Sequence, residues 1–367
     1  MPAIRCVDCG QPYPDNGVPF RCPSCGGVFD YDDAPSFSIE SVQNHLPGYW
    51  RYRQTFGLIE GAPIVTLGEG NTPLLWEVVE DQPVALKMES MNPSGSYKDR
   101  GSAVLVSQLL GKGVSEAVED SSGNAGASFA AYAARAGLRC RIYVPESASG
   151  PKRRQIEMYG ADLIAVAGPR SEAARAVLAE AEKGVPYASH AYLPFGLMGI
   201  ATIAYEVWEQ LGRKAPGSII APVGHGGLLL GIVRGFSALK KAGYIERVPY
   251  YVGVQAAACD PVVRAFQHGL RAMETVGEGS TLAEGVRVRQ PIRAKALLSE
   301  IQQSGGDFVA IDEREIFESY VDLGRRGLYV EPTSALVWAA AQKRVKELPQ
   351  PAVVVISGIG LKYYPSN

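Results

Sequence analysis

Apolar positions along this 367-residue chain alternate between helical spacing and the short continuous runs of buried strands. The run from Ala103 to Leu110 lies in a predicted helix over about 101–111, followed by a short strand near 117–119. A small-residue helix then ends at Gly137, a residue suited to a left-handed cap. Strand 140–144, helix 151–159, strand 162–166 and helix 171–183 continue the series. A second series has helix 200–211, strand 218–223, helix 228–241 and strand 250–254. Strand 308–311, helices over about 313–325 and 334–346, and strand 353–356 close the chain. Such alternation predicts an α/β fold of two units, with parallel sheets and helices on both faces.

Elsewhere the pattern weakens. Glu69-Gly70-Asn71-Thr72-Pro73-Leu74-Leu75 reads as a turn entering a strand, and strand-like Val84–Met88 follows. Tyr49, Trp50, Tyr52 and Phe56 show no period, so their segment reads as an arm or loop. Residues 274–290 are rich in Gly and Arg and read as irregular. There is no internal repeat and no low-complexity tract.

Composition narrows the function class. With 46% hydrophobic and 20% charged residues, the chain is that of a soluble globular enzyme long enough to bury a small cofactor. A formal net charge of -2 argues against nucleic acid as a main partner. No apolar leader follows Met1, and the longest apolar run, Ile219–Val233, is broken by Pro222, His225 and four glycines. No membrane association and a cytoplasmic location are therefore expected.

Four of the six cysteines form two pairs, Cys6-Val-Asp-Cys9 and Cys22-Pro-Ser-Cys25. That spacing predicts a zinc ribbon over residues 1–33, with Cys6, Cys9, Cys22 and Cys25 around a structural Zn2+. Two disulfides in a secreted module are the alternative, which an enzyme-like body without a leader disfavours. Cys140 and Cys259 read as core residues.

Chemistry concentrates at four places. Lys98 stands in Asn92-Pro-Ser-Gly-Ser-Tyr-Lys-Asp-Arg-Gly101, where a turn meets a helix and backbone amides favour anions. Ser121, Ser122 and Asn124 open the next helix as a cradle for a carboxylate or phenolate; Asn124 as a plain helix cap is the bland alternative. Gly224-His225-Gly226-Gly227 joins a strand to a helix, a device for phosphate. A dinucleotide would want an acid at the end of the next strand, and Gln255 stands there instead. Ser357, after the last strand, offers a hydroxyl to a ring nitrogen or simply makes a turn. A reactive lysine, a phosphate cup, a polar cradle and a strand-end hydroxyl together match the needs of pyridoxal 5'-phosphate.

In the same order, these segments and Glu331-Pro-Thr-Ser-Ala335 resemble the fold-type II pyridoxal-phosphate enzymes over the whole chain. Gly70-Asn-Thr-Pro-Leu74 and the ribbon make the threonine synthases the nearest pattern. The resemblance implies two αβα domains with the cofactor in the cleft between them: a large one of 34–90 with 188–367, and a small one of 91–187. It implies that Lys98 bonds to the cofactor and then moves the substrate's α-proton. Asn124 would meet the phenolic oxygen, Gly224, His225, Gly226 and Gly227 the phosphate, and Ser357 the pyridine nitrogen. A neutral hydroxyl at that nitrogen would favour elimination or replacement over transamination. Ser121, Ser122 and Ala125 would bind the carboxylate of a small amino-acid substrate, in a homodimeric lyase.

One segment departs from the pattern. The Asn and Arg that hold the substrate phosphate in threonine synthases fall at Leu193 and Gly196, leaving His190 and Tyr192 as polar substitutes. Thr202 and Glu206 lie in a stretch similar to the serine/threonine dehydratases. The expected activity is conversion of O-phosphohomoserine and water to threonine and phosphate. The alternative is elimination or replacement on an unphosphorylated amino acid; a ribbon-bearing interaction protein is a third, remote class.

Overall fold

A computed structural model describes residues 3–148, 150–277 and 279–363. The strands are β1 (Ile4–Cys6), β2 (Phe29–Tyr31), β3 (Leu74–Val79), β4 (Gln82–Lys87), β5 (Glu116–Glu119), β6 (Arg139–Pro145), β7 (Asp162–Val166), β8 (Ser218–Pro222), β9 (Tyr250–Ala256), β10 (Gly306–Ile311) and β11 (Ala352–Val355). The helices are α1 (Lys98–Gly111), α2 (Asn124–Ala136), α3 (Pro151–Met158), α4 (Arg170–Glu182), α5 (Gly196–Gln210), α6 (Gly227–Lys241), α7 (Pro261–His268), α8 (Ala294–Ser304), α9 (Glu313–Arg325) and α10 (Pro332–Arg344). The expected α/β alternation is present, and the two larger sheets are mostly parallel. Among the described residues no helix is long and apolar enough to cross a membrane.

The chain divides into two compact units. The first comprises Met1–Glu69, Asn92–Gly199 and Lys362–Asn367; the second comprises Gly70–Met91 and Ile200–Leu361. Residues 34–69, expected in the larger domain, thus group with the first unit. Their aromatics explain why. A 3-10 helix, Gly48–Thr55, buries Tyr49, Trp50 and Tyr52, so the segment is not a loose arm. Buried Glu69 accepts from Trp50 Nε1 at 2.6 Å and from the Tyr132 hydroxyl of α2 at 2.7 Å, and the Tyr49 hydroxyl donates to the Arg100 carbonyl at 2.7 Å.

In the first unit β5, β6 and β7 form a parallel three-stranded sheet in that order. Helix α2 ends at Gly137 in the left-handed conformation, as its position predicted. In the second unit the order is β10-β9-β8-β11-β4-β3, parallel except for β3 on β4. Its core gathers Val84, Leu86, Ile220, Val252, Val354 and the fully buried Trp338 of α10. Burying side chains of that size stabilises by about 1.5–3 kcal/mol each. Lys87 at the end of β4 is wholly buried, yet its three protons find Thr72 O at 2.8 Å, Glu206 Oε2 at 2.7 Å and Gln210 Oε1 at 3.0 Å. A buried ammonium is tolerable only when satisfied in this way.

Candidate active site

Lys98 is the first residue of α1, with Nζ 4.7 Å from the centre of the Tyr97 ring. The turn before it is pinned from below. Asp99 is fully buried; its carboxylate accepts from Ser94 N–H at 2.6 Å, from the Ser94 hydroxyl, and from Ser128 Oγ of α2 at 2.6 Å. Burial drives the Asp99 carboxyl up to about 6, against the hydroxyl and amide donors that pull it down. One carboxyl thereby ties the turn carrying Lys98 to the helix that carries the cradle.

That cradle starts where β5 ends. The cap of α2 is Gly123 and makes no side-chain cap bond, so Asn124 is the first helical residue and not the cap. Gly123 N–H donates to Ser121 Oγ at 3.2 Å, which bends the loop back on itself. The first N–H groups of a helix have no intrahelical acceptor, so those of Asn124 and Ala125 lie at an anion-friendly end. Gly126 is required by space: a Cβ there would lie 1.8 Å from the Ser121 carbonyl oxygen.

Sequence reasoning missed Glu119, the last residue of β5. Its buried carboxylate lies 3.6 Å from His190 Nδ1. Burial raises this carboxyl well above the usual range and the Asp120 charge adds to it, while the Lys98 and Arg170 charges oppose. Ala188 N–H donates to Val118 O at 2.8 Å, which lays the 187–190 segment beside β5. Of the two polar substitutes, only His190 stands with this acid. The Tyr192 hydroxyl accepts from Arg21 of the ribbon at 2.9 Å. Leu193 is 1% exposed, and a Cβ on Gly196 would press on the Gly101 backbone at 3.0 Å.

In the second unit, the Gly224–Gly227 loop and Ser357 follow neighbouring parallel strands, β8 and β11, paired Ser218 with Ala352 and Ile220 with Val354. From β8 the sheet grows outward through β9 and β10, while β11 and β4 lie on its other side. Both features thus leave the carboxyl edge where the strand order reverses, the position at which open α/β sheets take ligands. Gly226 caps α6 at φ +95°, a conformation costly for any residue with a Cβ. The loop is braced by Arg293 N–H, which donates to the His225 carbonyl at 2.9 Å. Gln255 serves the fold, since its amide donates to Val223 O at 3.1 Å and accepts from Val262 N–H at 2.8 Å. A backbone cup on a helix N-terminus suits a phosphate group, and Ser357 stands buried one strand away.

The ribbon contains two like knuckles. Gly10 N–H donates to Cys6 O at 2.9 Å, and Gly26 N–H to Cys22 O at 2.8 Å. Three sulfur pairs are 3.4–3.7 Å apart, and all four Sγ atoms lie within 4.8 Å of one another. Four thiolates about 2.3 Å from a tetrahedral Zn2+ would be roughly 3.8 Å apart. None of the six cysteines is in a disulfide, and Cys140 and Cys259 are buried as expected of core residues.

Residues 65–358 match the family described as pyridoxal-phosphate dependent enzyme. The chain belongs to that family. Curated relatives of this pyridoxal-phosphate enzyme include a threonine synthase of Methanocaldococcus jannaschii, 34% identical over 98% of this chain and 92% of the relative. A threonine synthase of Synechocystis sp. is 33% identical over 85% and 82%. Among solved structures, a threonine deaminase of T.th. superposes with TM-score 0.66 at 25% identity, covering 80% of this chain and 94% of that one. Maize serine racemase shares the fold alone, with TM-score 0.67 at 20% identity over 79% and 88%. The mostly parallel α/β architecture is that of the family.

Proposed function

We propose that this enzyme is a threonine synthase, converting O-phosphohomoserine and water to threonine and phosphate. The observation that carries the reading is similarity to curated threonine synthases along nearly the whole chain. Pyridoxal phosphate, when bound, supplies an electron sink for the substrate's α-carbon. The chain's residues do the rest. Lys98 would hold the cofactor and, once the substrate's amino group has displaced it, its free Nζ would take and return the α-proton. Backbone N–H groups of Gly224, His225, Gly226 and Gly227 hold the cofactor phosphate, Asn124 meets its phenolic oxygen, and Ser357 meets its ring nitrogen. Ser121, Ser122 and the Ala125 N–H hold the substrate carboxylate. The test is incubation with O-phosphohomoserine and assay of threonine and phosphate; absence of both rejects the reading.

A second reading has its own support. The positions expected to hold the substrate phosphate are a buried leucine, Leu193, and a close-packed glycine, Gly196, while His190 stands with the buried acid Glu119. Elimination on unphosphorylated serine or threonine fits those residues, and keto-acid release from either amino acid separates the two. The cysteine geometry supports a structural Zn2+ at Cys6, Cys9, Cys22 and Cys25. The family resemblance supports a homodimer, for which light scattering of the purified enzyme would give the mass, and the composition supports a cytoplasmic location.

A further inference from the structure

The small sheet of the first unit is extended past β5 by a piece of chain that follows α4. Val118 N–H donates to Pro186 O at 2.9 Å and Ala188 N–H to Val118 O at 2.8 Å, around an isolated parallel bridge between Val118 and Tyr187. Residues 187–190 therefore run beside β5 in the same direction. Both end at the carboxyl edge, where open α/β sheets take ligands. Glu119 and His190 stand at those two ends, and only Asp120 separates Glu119 from the cradle that starts at Ser121.

The two neighbouring acids are not equivalent. Asp120 is committed, since its Oδ1 accepts from the Tyr187 hydroxyl at 2.7 Å. Glu119 is 1% exposed, and its Oε2 accepts from none of the described residues. Its Oε1 lies 3.6 Å from His190 Nδ1, close enough for an ion pair and too long for a hydrogen bond. A buried carboxylate oxygen is costly unless something donates to it. The His190 side chain is 30% exposed, so the pair runs from the interior to the surface. The Lys98 charge also acts on Glu119, which sets this acid within electrostatic range of the lysine that would move the α-proton. Phosphate oxygens chiefly accept and would need the acid protonated. A hydroxyl both donates and accepts, so it suits acid and imidazole in either protonation state.

We propose that Glu119, with His190 beside it, is the subsite for a hydroxyl on the substrate's β-carbon. The proposal rests on the carboxylate cradle of Ser121, Ser122 and Ala125 given above, and it serves both readings of the reaction. That hydroxyl is what addition of water leaves on threonine, and what elimination removes from serine or threonine. His190, a stand-in for a phosphate contact by its place in the sequence, is thereby assigned to the hydroxyl instead.

The test compares binding of threonine and of 2-aminobutyrate, the same skeleton without the hydroxyl, to the wild-type holoenzyme and to the variants E119A and E119Q. Kd is read from the first change in cofactor absorbance on rapid mixing, before turnover. Wild type is expected to bind threonine about ten- to a hundredfold tighter, the worth of a hydrogen bond to a charged group. E119A should bring the ratio near one with little change for 2-aminobutyrate. E119Q, whose amide oxygen still accepts, should keep a preference of about threefold to tenfold. A merely structural role would lower both affinities together and leave the ratio as it was. If E119A does not fold, the narrowed ratio must still appear in E119Q. A wild-type ratio of one, or a ratio that survives substitution of Glu119, overturns the subsite and leaves the cradle standing. A wild-type holoenzyme that binds neither amino acid overturns the cradle, and the subsite with it.

Discussion

Two helices in this enzyme begin with an anion-friendly loop, and the loops are built on opposite principles. The loop before α6 has His225 as its one side-chain-bearing member between Gly224 and Gly227, and it rises from a sheet backed by a large apolar cluster. The loop before α2 offers two hydroxyls and an amide, and its helix is fastened to the Lys98 turn by a buried carboxyl, Asp99. A phosphate is bound well by converging backbone amides alone, and a rigid apolar base keeps them converged. A carboxylate that must be placed next to a reacting lysine calls for directional side chains, and those need a polar support. The first design rests on backbone and needs a left-handed glycine at Gly226; the second rests on side chains and includes a titratable carboxyl.

The largest effect should come from removing the metal. If Zn2+ holds the ribbon, its binding energy is the ribbon's folding energy, on the order of 10 kcal/mol. Chelation or Cys6→Ser should release stoichiometric zinc and unfold residues 1–33, read by hydrogen exchange, while the β8–β11 sheet stays protected. A metal-free protein with a protected ribbon would reject the assignment.

Asp99 should give the next effect. Its carboxyl, raised to about 6, keeps its proton in the folded protein where an unfolded Asp near 3.9 has lost it. Folded protein therefore binds the extra proton between those values, and this group's contribution falls as pH rises through the window, by about 3 kcal/mol in all. Asp99→Asn should remove that share of the pH dependence, measured by denaturant unfolding at pH 4 and pH 7. Equal slopes for variant and wild type would show that Asp99 does not titrate there.

On the other side of the comparison, Gly226→Ala puts a Cβ at φ +95° and 3.2 Å from the Arg293 Cβ. Strain of about 1–3 kcal/mol should weaken pyridoxal-phosphate affinity by roughly ten- to a hundredfold with little change in pH response. Absorbance titration reads this directly. The smallest effect is expected from Ser122→Ala: one hydrogen bond to the substrate carboxylate, about tenfold in KM, with cofactor binding unchanged. A loss of cofactor in that variant would move the serine out of the substrate cradle.

Much of this was readable before any coordinates, for reasons particular residues make clear. The helices from α1 to α6 run 8 to 15 residues and the strands between them 4 to 7, and each carries the period of its type. Helix α8 carries Ala294, Leu297, Leu298 and Ile301 on one buried stripe, a helical spacing hidden by the irregular stretch before it. The hairpin of β3 and β4 was hidden differently. Its two-residue loop is Glu80-Asp81, both at positive φ, where the usual signal is Asn-Gly. The site residues with a reactive group stood out individually. Their supports did not: Asp99 meets Ser128, and Ser357 meets Glu331, across 29 and 26 positions. No local pattern encodes such a pairing.

The ribbon's resting place has a consequence of its own. Tyr13 packs against Phe195 at 5.3 Å between ring centres, and Phe20 against Tyr187 and Tyr192 at 5.3 and 5.4 Å, all within the stretch that leads into α5. With metal bound as proposed, four thiolates clamp the cover over that aromatic ledge. The order of residues 187–195 is then tied to metal supply and to the redox state of the surroundings. An oxidant that pairs two of those sulfurs would loosen a surface far from itself without touching a single residue of the ledge.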